Sequence, residues 1–167
     1  MAHQLTHRTT AEFPAEKVYA AMVDPDYLKA RLERLGGPGA ALLSHHVDGN
    51  GARYELRHGV DANVVPPMVR SLVSGDLVIE RTETLAPAGP GRYTGTVDVR
   101  IPGTPASAEG AIRLADIEGG SELVVDAAVT VRVPLIGGKI ESMVAEQIEG
   151  LLASETAFTL EWLRQRA

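Results

Sequence analysis

Residues 123–165 read LVVDAAVTVRVPLIGGKIESMVAEQIEGLLASETAFTLEWLRQ, and their hydrophobic period changes part-way along. Over 123–133, apolar residues alternate with polar ones, which predicts a strand with one face in the core and the other in water. From 139 to 165 the apolar residues recur at helical spacing, which predicts one long helix. Its apolar stripe consists of Ile140, Met143, Val144, Ile148, Leu151, Phe158 and Trp162. Glu141 falls outside this stripe. Such a helix needs a large surface on which to bury the stripe, and the sequence offers only the apolar face of a sheet.

Upstream of this stretch, the chain begins with a predicted strand over 3–12 and two short helices. Pro14 suits the first turn of the first helix. Asp24 followed by Pro25 is typical of the N-cap and first turn of the second helix, which a glycine-rich stretch ends. Half-buried alternation through 40–133, broken by Gly- and Pro-rich turns, predicts about six antiparallel strands.

The composition is that of a globular protein with little affinity for nucleic acid. The chain has 167 residues, of which 44% are hydrophobic and 23% charged, so we expect one domain over 1–167. The net charge is −6 without a basic cluster, which argues against binding to a phosphate backbone or to anionic lipid. The chain has no cysteine, no signal-peptide pattern and no apolar run of membrane-spanning length. We therefore expect a cytoplasmic protein with no stable membrane insertion.

Three segments resemble one branch of the START-like (SRPBCC) superfamily, a branch described only as a domain of unknown function. They are FPAEKVY at 13–19, DPDYL at 24–28 and VPLIGGKIE at 133–141. The resemblance implies the α+β helix-grip fold, in which a curved antiparallel sheet of about seven strands wraps a long C-terminal helix. It also implies a cavity between sheet and helix for an apolar or amphipathic molecule, because the superfamily includes lipid-transfer proteins, plant binders of hydrophobic ligands, and polyketide cyclases and aromatases.

Three polar residues, Gln147, Ser154 and Glu155, lie on or beside the apolar stripe of the long helix. A buried amide without a partner costs about 1–3 kcal/mol, and a buried unpaired carboxylate costs more. In a cavity, these groups could orient the polar end of a ligand. The alternative is that Ser154 bonds to its own helix and Glu155 extends to solvent at the edge of the stripe.

Aromatic residues and a histidine fall on the inward faces of the predicted strands. Tyr54 and His58 share one such face and Tyr93 lies on another, each with an apolar body and a polar tip that could fix a hydroxyl or carboxylate. Simple packing in the core is the alternative. On the long helix, Met143 could form an adaptable apolar wall, and Gln147 and Leu151 lie on the same side. The predicted ligand-binding residues are therefore Tyr54, His58, Tyr93, Met143, Gln147 and Leu151.

No pattern in the sequence predicts a metal, a cofactor or a catalytic residue. His3 and His7 lie four apart on a predicted strand, about 13 Å from each other, which is too far to share a zinc ion. The Gly-Gly-Lys at 137–139 does not complete a phosphate-binding GxxxxGK[ST] loop, and no GxSxG nucleophile motif occurs. The proline-broken segment 63–70 cannot be a central strand. We favour a lid over the cavity, and the alternative is a satellite cluster that packs a loop against the core.

Three functions are compatible with these features. We favour a carrier or sensor that encloses a hydrophobic, lipid- or polyketide-like molecule and does not act as an enzyme. The second is a cyclase- or aromatase-like enzyme in which His58 moves protons with Tyr93 or Glu155. The third is a protein-interaction domain whose cavity has collapsed. The sequence leaves a homodimer open.

Overall fold

The computed structural model describes residues 2–61, 67–71 and 77–167. Its elements are β1 (His3–Ala11), α1 (Ala15–Met22), α2 (Pro25–Leu35), β2 (Ala41–Asp48), β3 (Gly51–Val60), α3 (Pro67–Arg70), β4 (Leu77–Pro87), β5 (Arg92–Arg100), β6 (Ala106–Ile117), β7 (Gly120–Val131) and α4 (Gly137–Gln165). The predicted order of strand, two helices, six strands and a long helix is confirmed, except that the short helix α3, which was not predicted, lies between β3 and β4.

The seven strands form one antiparallel sheet in the order β1-β7-β6-β5-β4-β3-β2. Because β1 pairs with β7, the first and last strands of the chain lie side by side, and α4 packs on both of them. Helices α1 and α2 also contact α4. The sheet is curved, and α4 crosses its concave face. None of the described helices has both the length and the hydropathy needed to cross a membrane.

Local sequence signals fix the two short helices. Asp24 caps α2, since its Oδ1 accepts the Asp26 N–H at 2.8 Å and Pro25 occupies the first turn. Helix α1 begins after Pro14 and is tied to the sheet by Asp116, whose Oδ1 accepts the Ala15 N–H at 2.7 Å. Helix α1 contacts β5, β6 and β7, and α2 contacts β2.

The turn from β7 into α4 depends on Glu141, which the sequence placed outside the apolar stripe. Glu141 is only 3% exposed, and its Oε2 accepts the N–H of Val131 at 2.8 Å, at the last residue of β7. The carboxylate lies on the buried face of the helix, where it satisfies the N–H of the last residue of β7. Leu135 turns the chain with a φ of 71°, a left-handed value that is uncommon for a branched residue.

We expect Glu141→Ala to lower the free energy of unfolding by about 2 kcal/mol, because it leaves the buried Val131 N–H without an acceptor. Urea denaturation of the variant beside Glu146→Ala provides the measurement. Glu146 is exposed on the same helix, so its substitution controls for the change in helix propensity. Equal stability of the two variants would show that the Glu141 contact contributes nothing.

The buried face of α4 differs from the predicted apolar stripe. Its buried residues are Gly137, Ile140, Glu141, Ala145, Leu152, Glu155, Thr159 and Leu163. Most of the large apolar residues of the predicted stripe, such as Met143 and Ile148, are only half-buried. The buried face of the helix therefore includes three polar residues, Glu141, Glu155 and Thr159. The apolar stripe beside it is only partly buried.

Candidate functional site

A cavity of about 350 Å³ lies between α4 and the concave face of the sheet. Its apolar walls include Val97, Val99 and Ile101 on and after β5 and Met143, Val144 and Ile148 on α4. All six are half-buried rather than buried. Side chains packed in a filled core are excluded from solvent almost completely, so this partial exposure shows that they face a hollow. The volume is within the usual range for small-molecule sites.

Some polar residues that line the cavity are exposed to solvent. Gln147 on α4 and Ser107 and Glu109 on β6 all line the cavity and are exposed. Thr104 and Pro105, in the loop between β5 and β6, also line the cavity. The cavity lining therefore combines exposed polar residues with apolar walls.

Four charged residues form a cluster at the inner wall of the cavity, which we call the buried charge cluster: Arg31 on α2, Arg81 and Glu83 on β4, and Glu155 on α4. None is more than 8% exposed. Arg81 donates from Nη1 and Nη2 to the two carboxylate oxygens of Glu155, at 2.8 and 2.9 Å. Its Nε lies 2.6 Å from Glu83 Oε2, an ion pair whose angles are not those of a hydrogen bond. The cluster therefore connects α2 and α4 to the sheet.

Mutual attraction keeps the buried charge cluster ionised. Burial would raise the pKa of Glu155, but Arg31 and Arg81 outweigh burial and hold that pKa at about 2. Burial would likewise lower the pKa values of the two arginines, but Glu155 and Glu83 outweigh it and raise both. Arg31, Arg81 and Glu155 therefore stay charged at neutral pH.

Hydroxyl groups surround the buried charge cluster. The Tyr54 hydroxyl donates to Glu83 Oε1 at 3.4 Å, and burial raises the pKa of Tyr54 well above its usual value. Thr159 Oγ1 donates to the main-chain oxygen of Glu155 at 2.9 Å and lies 2.5 Å from the Tyr27 hydroxyl oxygen. Tyr27 and Tyr54 thus pack around the cluster outside the cavity lining, whereas Thr159 also lines the cavity.

His58 also lines the cavity and is 4% exposed. Its Nε2 is buried and has no hydrogen-bond partner. Burial, reinforced by the positive charge of Arg81, lowers the pKa of His58 to about 4, so the imidazole is neutral at pH 7. A neutral imidazole offers one donor and one acceptor, according to its tautomer.

Of the six predicted ligand-binding residues, four line the cavity: His58, Met143, Gln147 and Leu151. Their contact with a ligand stays a prediction.

Tyr54 and Tyr93 do not line the cavity, and the geometry corrects the sequence analysis here. Tyr54 is 1% exposed in the packed core, with its hydroxyl toward Glu83. Tyr93 stacks on Tyr19 of α1, with ring centroids 4.2 Å apart. Both tyrosines lie on inward faces, as expected, but near the starts of their strands, β3 and β5. Helix α1 covers the start of β5 and therefore packs on Tyr93.

The model of a family described as "Protein of unknown function (DUF2505)" matches residues 6–163. The chain belongs to this family. Uncharacterized protein Rv0481c of Mycobacterium tuberculosis is 32% identical over 159 residues, which cover 91% of each chain.

Solved structures show the fold of this DUF2505 protein. TTHA0849 from Thermus thermophilus superimposes with a TM-score of 0.63 at 14% identity, covering 99% of both chains. Ara h 8.0201 superimposes with a TM-score of 0.56 at 12% identity, covering 96% of this chain and 99% of that one. The predicted helix-grip, START-like fold is confirmed.

The sequence analysis did not single out Arg31, Arg81 or Glu83. A signal for two of them exists on β4, where residues 77, 79, 81, 83 and 85 share the inward face, so that Arg81 and Glu83 interrupt an apolar alternation. Glu155 was noted, but the alternative that it extends to solvent is wrong, because it is 4% exposed and bound to Arg81 by two hydrogen bonds.

Two further expectations concern groups at the edge of the site. Ser154 is exposed and does not line the cavity. Of the predicted lid over 63–70, residues 63–66 lie outside the described residues, and Pro67–Arg70 form the one-turn helix α3. Across residues 2–61, 67–71 and 77–167, no three His, Asp or Glu side chains converge so as to hold a metal ion.

Proposed function

We propose that this DUF2505 protein binds and carries a hydrophobic or amphipathic small molecule, lipid- or polyketide-like, in the cavity between the sheet and α4. The observation that carries the proposal is the hollow of about 350 Å³ whose apolar walls stay half-exposed. A ligand that covers these walls removes their apolar surface from water. Each Å² removed contributes about 25 cal/mol of favourable free energy to binding. The open cavity also counts against a collapsed interaction domain.

The charge states of the site favour binding over proton-transfer catalysis. A cyclase-like reaction through His58 and Glu155 needs one group that donates a proton and one that accepts it. With pKa values of about 4 and about 2, both groups are deprotonated at neutral pH. Glu155 is also fully engaged by Arg81, and Tyr93 lies away from the cavity. No acid is therefore available among the groups named for that mechanism.

We expect Val97→Phe to weaken binding of the neutral dye N-phenyl-1-naphthylamine by about tenfold or more, because the larger side chain fills the cavity that the dye would occupy. Val97 lines the cavity, whereas Thr94, on the same strand, is exposed on the other face. Thr94→Phe is therefore the matched control, and dye fluorescence titration gives both dissociation constants.

Two results would contradict the proposal. One is that the wild-type protein does not bind the dye. The other is that Val97→Phe and Thr94→Phe bind it equally well while circular dichroism shows both to be folded. Location in the cytoplasm and homodimer formation stay predictions that this experiment does not address.

A further inference from the structure

Arg31 has hydrogen-bonding capacity that the protein leaves unused. Its Nη1 donates to the Tyr27 hydroxyl at 3.5 Å, whereas its Nε and Nη2 are buried without a hydrogen-bond partner. The carboxylate oxygens that pair with them lie at 3.7 Å on Glu155 and 4.0 Å on Glu83, which is too far for hydrogen bonds. Buried donors without acceptors are costly, and Arg31 lines the cavity. A guanidinium only donates, so the missing partner is an acceptor atom.

His58 gives the same indication from another element of the inner wall. Its Nε2 is buried and unpartnered, and the residue lines the cavity together with Arg31. A neutral imidazole nitrogen can donate to a carbonyl oxygen or accept from a hydroxyl group, according to the tautomer. Two cavity-lining side chains, on α2 and β3, therefore carry nitrogen atoms without a hydrogen-bond partner.

The charge balance of the wall decides whether that oxygen is charged. The two arginines and two glutamates of the buried charge cluster cancel, and His58 is neutral. A carboxylate entering this wall would be an excess buried anion, which would lose its hydration and repel Glu83 and Glu155. A carbonyl or hydroxyl oxygen can accept from Arg31 without that cost. An ammonium group cannot bind Arg31, because it has no lone pair to accept a hydrogen bond.

We propose that the cavity selects an uncharged molecule with an apolar body and a carbonyl or hydroxyl oxygen at its inner end, where Arg31 binds the oxygen beside His58. This inference rests on the proposed function, since it names the class of ligand that the same cavity takes.

A matched set of naphthalene compounds tests the choice of polar group. The set consists of 2-acetylnaphthalene, 1-(2-naphthyl)ethanol, 2-ethylnaphthalene and 2-naphthoate, each titrated as a competitor of N-phenyl-1-naphthylamine at pH 7. We expect the ketone or the alcohol to bind about tenfold more tightly than both the hydrocarbon and the carboxylate, because only they form the hydrogen bond to Arg31 without bringing in a charge.

The possible outcomes separate the two proposals. If none of the four compounds and no dye binds, the cavity proposal itself is overturned, and the choice of polar group with it. If all four bind equally, or the carboxylate binds most tightly, the cavity proposal stands and the uncharged-oxygen inference is overturned.

A variant assigns the preference to Arg31. The double substitution Arg31→Met with Glu83→Gln keeps the charges of the buried charge cluster balanced and leaves the bidentate pair of Arg81 with Glu155 in place. We expect the ketone, the alcohol and 2-ethylnaphthalene to bind this variant with dissociation constants within about twofold of one another, so that the tenfold preference is lost. Retention of the full preference in this folded variant would overturn the role of Arg31.

Discussion

Glu155→Gln is expected to lower the free energy of unfolding by about 3–5 kcal/mol, the loss typical of a buried ion pair from which one partner is removed. The amide leaves Arg31 and Arg81 buried with only Glu83 to balance them. It also breaks the bidentate pair between α4 and β4, because the amide can accept only one of the two hydrogen bonds from Arg81. Urea or thermal denaturation, followed by circular dichroism, measures the change.

Two comparisons test this explanation of the Glu155 effect. Glu146→Gln makes the same chemical change at an exposed site on α4 and should alter stability by less than about 0.5 kcal/mol. In the double variant Arg81→Met with Glu155→Leu, the free energy of unfolding should fall by less than the sum of the losses in the two single variants. Each single variant leaves a buried charge unpaired, whereas the double variant removes both charges. Additive losses would mean that the pair is not energetically coupled.

The stability of the protein should fall by about 3 kcal/mol between pH 6.5 and pH 4 because of His58 alone. Burial and the charges of Arg81 and Arg31 lower the pKa of His58 in the folded state from 6.5 to about 4, although Glu155 acts in the opposite sense. Between these two values the unfolded chain binds a proton that the folded protein does not. The contribution of His58 to the free energy of unfolding is therefore fully present well above pH 6.5 and is lost as the pH falls toward 4.

His58→Gln should remove this part of the pH dependence, and the slope of unfolding free energy against pH in the variant is the measurement. His46→Gln, at an exposed site on β2, is the control. Burial also lowers the pKa of His7, which gives a slope of the same sign in all three proteins and cancels in the comparison. The contribution of Glu155, whose folded pKa is about 2, is lost only at lower pH, as the pH falls below 4.5. Identical slopes for His58→Gln and wild type would contradict the assignment.

The fold was predictable because hydrophobic period is a local property. The alternation over 123–133 and the helical spacing over 139–165 are visible within short windows, and Asp24 with Pro25 marks a helix start by local hydrogen bonding. The exact buried line of α4 was less predictable, since Glu141 and Glu155 are buried by partners distant in sequence rather than by their own hydrophobicity.

The candidate site was predictable only in part. The buried charge cluster joins α2, β4 and α4, and no local pattern reveals that Arg31 and Glu155 lie together. The hollow was equally invisible, because alternation such as that of Val97 and Val99 is the same whether the interior is filled or empty. Tyr93 shows the converse, since it follows the same alternation on the same strand and packs on α1 instead.

The most direct test of the central claim is native mass spectrometry of the wild-type protein and of Val97→Phe, both purified from the natural host. If the cavity carries a small molecule, the wild type should retain a discrete small-molecule mass that Val97→Phe has lost, while Thr94→Phe keeps it. A wild-type protein recovered only at the mass of the bare chain, which then also fails to take up N-phenyl-1-naphthylamine, would contradict the claim that this cavity is a binding site.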